Sequence, residues 1–136
     1  MEELKCYMPK TLKEALEIKS KVDVLPLAGG SDLMVSHKRT IGLTPVFEMP
    51  VMIIRNLPEL KKIYVNEKGE CCIGAGCTSE QIAESTLCPW HLRQAASRMG
   101  AVGLRNSATI AGNIANAMNK TFGFGARVLA IATLCC

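Results

Sequence analysis

The 136-residue sequence predicts an α+β protein made of two small lobes, and three observations point there. A capped helix leads into an apolar strand that ends in two glycines at residues 11–30. The texture changes near Leu60 to that of a β-hairpin followed by helices. Two segments of small residues, one around Gly29-Gly30 and one around Gly112, invite close approach by something else. A hydrophobic content of 49% suffices for one domain with a real core, or for two small lobes sharing one.

Thr11-Leu12-Lys13-Glu14 is a capping box, in which the hydroxyl and the carboxylate can satisfy free N–H groups at a helix start. Leu12, Ala15, Leu16 and Lys19 follow at helical spacing, so a short amphipathic helix is predicted from Thr11 to Ser20. An apolar strand follows at Val24 to Leu27. Strand, glycine turn and a further polar-apolar segment begin an α/β or α+β lobe. Pro45 and Pro50 bracket a loop ahead of a second buried strand, Val51 to Ile54. Lys62 to Val65, a turn at Asn66-Glu67-Lys68-Gly69, and Cys71 to Gly74 read as a hairpin that opens the second lobe. The expected division is therefore 1–58 for the first lobe and 59–136 for the second. Thr78 and Gln81 cap another helix, and Pro89 to Met99 reads as a longer one with Leu92, Ala95, Ala96 and Met99 on one face. Gly100 closes it.

Composition narrows the function. Lysine and arginine outnumber acids by 16 to 12, and the net +4 is scattered, with only 4% aromatic residues for base stacking. Nucleic acid is not the expected partner. The start, MEELKCYMPK, lacks the basic-then-apolar order of a signal peptide, so a cytoplasmic protein is expected. The apolar run from Val128 to Cys136 is too short to cross a bilayer. Seven cysteines, including the adjacent pairs Cys71-Cys72 and Cys135-Cys136, read as free thiols, and no ligand spacing for a metal is present. His37 and His91 have no evident acidic partner and read as surface residues.

The two glycine segments carry the remaining signal. Residues 25–34 read LPLAGGSDLM, and residues 103–117 read GLRNSATIAGNIANA. Adjacent glycines suit either a tight turn or a cradle of backbone N–H groups around a phosphate. Neither segment is a G-x-G-x-x-G or a G-x-x-x-x-G-K-[ST] signature.

Four strings in order, AGGSDLM after a strand, IIRNLPELKKI, IGAGCTSEQIAES and LRNSATIAGNIANA, resemble the FAD-binding subunit of the xanthine dehydrogenase and carbon monoxide dehydrogenase family of molybdenum hydroxylases. The resemblance runs from Met8 to Ala117. It implies a two-lobe PCMH-type α+β fold with FAD between the lobes. It places Leu27, Ala28, Gly29, Gly30, Ser31, Asp32, Leu33 and Met34 around the cofactor's pyrophosphate. Thr109, Ile110, Ala111, Gly112 and Asn113 meet the cofactor from the other side. Asp32, a carboxylate beside a diphosphate, is expected to cap the following turn instead of touching phosphate. Electrons are expected from an iron–sulfur subunit fed by a molybdopterin subunit, leaving to NAD+, with no catalytic acid or base and no metal on this chain. Two other readings compete: a cofactor-free remnant serving assembly, and a flavoprotein of the enolpyruvyl reductase type, against which LRNSATIAGNIANA weighs.

After Ala117 the family's pattern of a serine-proline pair and an aspartate gives way to MNKTFGFGARVLAIATLCC, with Phe122 at the aspartate position. A shortened second lobe is expected, with weak FAD retention and a tendency to self-association.

Overall fold

A computed structural model describes residues 5–37 and 42–116. Phe122 and the apolar run ending in Cys135-Cys136 lie outside the described residues.

The first helix, α1 (Leu12–Lys21), starts where the capping residues place it, with Thr11 Oγ1 accepting from the Glu14 N–H at 3.2 Å. The box is not reciprocal. Glu14 Oε2 turns back to the Lys10 N–H at 2.8 Å, one residue before the cap. Ala15 is buried and Ile18 and Val22 pack beside it, so the row at i, i+3 and i+7 faces the core, and Leu16, expected on the apolar face, is exposed. Three strands form one sheet: β1 (Cys6–Tyr7), β2 (Leu25–Leu27) and β3 (Val51–Ile53), in the order β1-β3-β2 and all parallel. Pro26 sits on β2, an edge strand, where a missing N–H leaves no ladder bond unmade. Two-residue β1 escapes sequence reading because its pairing with β3 comes entirely from sequence-distant partners. Ala15, Val24, Met52 and Leu57 form the buried centre of this half.

Past Gly30 the chain makes a short helix, α2 (Leu33–Ser36). A 3₁₀ turn at Pro58–Leu60 leads into the hairpin of β4 (Ile63–Val65) and β5 (Cys71–Ile73), antiparallel with Tyr64 opposite Cys72. Asn66 builds its turn, since Oδ1 accepts from the N–H groups of Lys68 and Glu70, and Gly69 takes φ +80°.

Helix α3 (Ser79–Glu84) begins with a complete capping box between Thr78 and Gln81. Its neighbour α4 (Trp90–Ser97) buries Leu92, Ala95 and Ala96 against it. Gly100, at φ +52°, turns the chain out of α4. The small-residue segment after it is helical in two pieces, α5 (Val102–Arg105) and α6 (Ile110–Asn116). Between them, the chain runs beside the start of α3: the Ser79 N–H donates to Ala108 O at 3.0 Å and the Ile110 N–H to Cys77 O at 2.9 Å. The Arg105 guanidinium pairs with Glu80 and also donates to Gly100 O at 2.9 Å, which locks α5 onto α3.

Candidate functional site

The glycines at the end of β2 answer two different steric demands. A side chain begun at Gly29 would place its Cβ 1.9 Å from the Ser107 carbonyl oxygen, so the loop backbone lies directly on the backbone that joins α5 to α6. Gly30 instead adopts φ +69°, the left-handed region that L side chains avoid. One glycine permits contact between the two halves of the molecule, and the other turns the chain into α2.

Asp32 precedes α2, but its side chain makes no capping hydrogen bond there. This corrects the expectation from sequence. The carboxylate reaches across to α6, where Oδ2 accepts from Asn116 Nδ2 at 3.0 Å. Asp32 takes helical dihedrals, φ −100° and ψ −51°, rather than the extended ones of a capping residue, so its side chain is not aimed back at the first N–H groups of α2.

On the facing wall, Thr109 Oγ1 accepts from the Gly112 N–H at 3.3 Å and caps the first turn of α6. A Cβ at Gly112 would lie 3.0 Å from that same oxygen, so the small residue keeps the cap intact. The Asn113 N–H donates to Thr109 O at 2.9 Å and the Ala111 N–H to Ala75 O at 3.3 Å, which fixes α6 against the residues leaving β5.

Between these walls lies a cleft of about 520 Å³, within the range of small-molecule sites. Of the residues expected at the cofactor, Ala28 to Leu33 line it from one side and Thr109, Ala111, Gly112 and Asn113 from the other. Leu27 remains in β2, Met34 is partly exposed and does not line the cleft, and Ile110 is buried in the core of the second half. Residues not expected at the cofactor complete the lining: Ile54, Ala75, Met99 and Leu104 make it apolar, and Arg98 and Asn116 add polar groups. They come from five separate segments, which only the fold assembles. Gly100 was readable as the end of a helix, and that helix end delivers Arg98 and Met99 to the cleft.

The glycine loop also offers hydrogen-bond donors. The N–H groups of Gly29, Gly30, Ser31 and Asp32 bond to no atom of the described residues, although all four residues are half-buried. Half-buried amides need a partner, and an anionic or carbonyl oxygen in the cleft would supply it. Among the described residues no group of three or more His, Cys, Asp or Glu side chains could hold a metal ion, and no helix is long and apolar enough to cross a membrane. Cys6, Cys71, Cys72, Cys77 and Cys88 are free thiols. His37, expected at the surface, is half-buried, with its ring 4.8 Å from that of Phe47 and Nδ1 3.0 Å from Leu33 O.

Comparison with known proteins agrees with this architecture. The profile of the FAD binding domain in molybdopterin dehydrogenase matches residues 2–130. The chain is 32% identical over 142 residues to the nicotinate dehydrogenase FAD-subunit of Eubacterium barkeri, covering 98% of this chain and 46% of that protein. It is 34% identical over 94 residues to the xanthine dehydrogenase FAD-binding subunit of Escherichia coli O157:H7, covering 66% of this chain and 30% of that one. It therefore spans less than half the length of these curated relatives. Among solved structures, reconstituted CO dehydrogenase from Oligotropha carboxidovorans superposes with a TM-score of 0.70 at 25% identity, over 85% of this chain and 40% of that one. An α+β chain whose glycine loop and small-residue helix face each other across a cleft, and whose residues 2–130 match that profile, belongs to the family of FAD-binding domains of molybdopterin dehydrogenases.

Proposed function

We propose that this chain is the FAD-holding part of the electron-transfer subunit of a molybdenum hydroxylase, lying between the iron–sulfur clusters of a partner subunit and the acceptor NAD+. A third subunit carrying molybdopterin would oxidise the substrate. When bound, the flavin supplies the step between one-electron carriers and a two-electron acceptor. The residues expected from the sequence take simple roles. The amides of Gly29 to Asp32 hold phosphate oxygens, Ser31 adds a hydroxyl, and Thr109 to Asn113 present a compact surface to the ligand's opposite side. Ile54, Met99 and Leu104 supply the apolar contacts a planar ring needs.

One observation carries this reading: four consecutive loop amides without a protein partner among the described residues line the same apolar cleft as the Thr109–Asn113 segment. The family's cofactor fits that donor set. Fluorescence titration of the 136-residue protein with FAD tests it, with saturable 1:1 quenching as the expected result. A folded protein that leaves FAD fluorescence unchanged at millimolar concentration would instead support a cofactor-free assembly role. NADPH oxidation dependent on an enolpyruvyl sugar nucleotide would move the chain to the reductase group.

A further inference from the structure

Among the described residues the cleft is lined by two charged side chains, and they stand on opposite walls: Asp32 on the glycine loop and Arg98 at the end of α4. Their situations differ. Asp32 is tied to Asn116, so its charge is held in place and partly satisfied. The Arg98 guanidinium makes no ion pair or hydrogen bond with any described residue, whereas the nearby arginines are engaged, Arg93 with Ala83 O and Arg105 with Glu80.

The root of Arg98 is nevertheless rigid. Its N–H donates to Ala95 O and Ala96 O as the cap of α4, the adjoining Met99 is buried, and Gly100 turns sharply after it. A fixed backbone, an exposed cationic head and a cleft lining with no other cation among the described residues define a donor that can meet an anion. The opposite wall provides amides but no positive charge, and it carries a carboxylate.

We infer that Arg98 is the phosphate-binding cation of this cleft. It recognises a ligand's diphosphate through paired guanidinium N–H groups, and it sets the preference for phosphorylated over unphosphorylated ligands. This rests on the FAD reading above and adds to it a residue that neither glycine segment contains. A planar guanidinium matches two phosphate oxygens at once, and such charge-assisted contacts are the stronger kind. Asp32 is tied to Asn116 and the loop amides beside it are neutral donors, so Arg98 supplies the positive charge that the glycine loop lacks.

Titrations of the wild-type 136-residue protein and of Arg98→Ala and Arg98→Lys, with FAD, ADP, riboflavin and adenosine as probes, decide the matter. Melting curves establish that each variant is folded, as expected for an exposed side chain. The expected result is a loss of about tenfold or more in affinity for FAD and ADP in Arg98→Ala, with riboflavin and adenosine unaffected. Arg98→Lys should retain the salt dependence of FAD binding while recovering part of the affinity. If wild type binds FAD and folded Arg98→Ala binds it equally well, this inference is wrong and the FAD reading stands. Equal losses for riboflavin and FAD would make Arg98 a packing residue and also overturn it. No FAD binding by wild type would sink the FAD reading, and this inference with it.

Discussion

Asp32 Oδ2 accepts a 3.0 Å hydrogen bond from Asn116 Nδ2, a side chain 84 residues further along, and so joins the loop after β2 to the last turn of α6. The bond spans the two walls of the cleft, so it sets their separation. Replacing either residue by alanine should cost about 1.5–3 kcal/mol, the usual range for a hydrogen bond to a charged group. The double variant should cost little more than either single one, and urea unfolding of all four proteins measures this coupling. Additive losses would show that the two side chains do not depend on each other.

Gly29→Ala should destabilise by about 1–3 kcal/mol, because the added methyl would sit 1.9 Å from the Ser107 carbonyl and only backbone can move to admit it. The shift in the urea midpoint reads the effect. An alanine variant as stable as wild type would mean that the loop and the Ser107 backbone separate at no cost.

Gly30 presents a conformational rather than a steric problem. With φ at +69°, Gly30→Ala should cost roughly 1–2 kcal/mol, and Gly30→Asn less, since asparagine tolerates the left-handed region. Gly30→Val should leave most of the fold but abolish FAD binding by displacing the loop amides. Isothermal titration checks the second claim, and unchanged affinity would confine Gly30 to the turn.

Arg105→Ala leaves Glu80 with a carboxylate whose side chain is only 22% exposed. Breaking a buried pair from one side costs roughly 3–5 kcal/mol, and partial exposure should bring this case to the lower end. Pairing Arg105→Met with Glu80→Gln should recover much of the loss, as measured by thermal melts. No recovery would show that the Arg105 bond to Gly100 O, rather than the ion pair, holds α5 in place.

Burial pushes the Cys77 thiol above its ordinary pKa, opposed in part by a backbone hydrogen bond at Gly74. A raised folded-state value means that the unfolded chain ionises first. The contribution of Cys77 is therefore complete below about pH 8.5 and is lost as pH rises beyond it. Stability should fall more steeply between pH 8.5 and 10 in wild type than in Cys77→Ala. Thiol labelling should also modify exposed Cys6 well before Cys77, which is fully buried.

The sequence revealed most of what is local. Capping threonines at positions 11 and 78, the Asn66–Gly69 turn and Gly100 each satisfy their neighbours' hydrogen bonds, so their effect is visible within four residues. Two-residue β1 and the apolar half of the cleft were not legible, because Cys6, Ile54, Ala75 and Leu104 acquire their roles only from partners brought up by the fold. The glycine loop is an intermediate case. Its importance was visible, but the reason for Gly29 was not, since the atom it must avoid belongs to Ser107. Asp32 misled for the same reason: a helix-start position suggested a cap, and a distant amide claimed the carboxylate.

In the first sheet, β1 and β2 do not pair with each other, and both wait for β3 to come between them. Among the described residues, no strand ladder can therefore form on the growing chain until Val51 to Ile53 has been made, and α1 is the longest element available before then. The β4–β5 hairpin closes over a turn of only a few residues, and short loops close faster than long crossovers. By the time that hairpin is made, β3 has already left the site of synthesis, so the exposed interval comes earlier: between the making of β2 and that of β3, β1 and β2 are open edges, and a newly made chain is then most prone to pair with its neighbours.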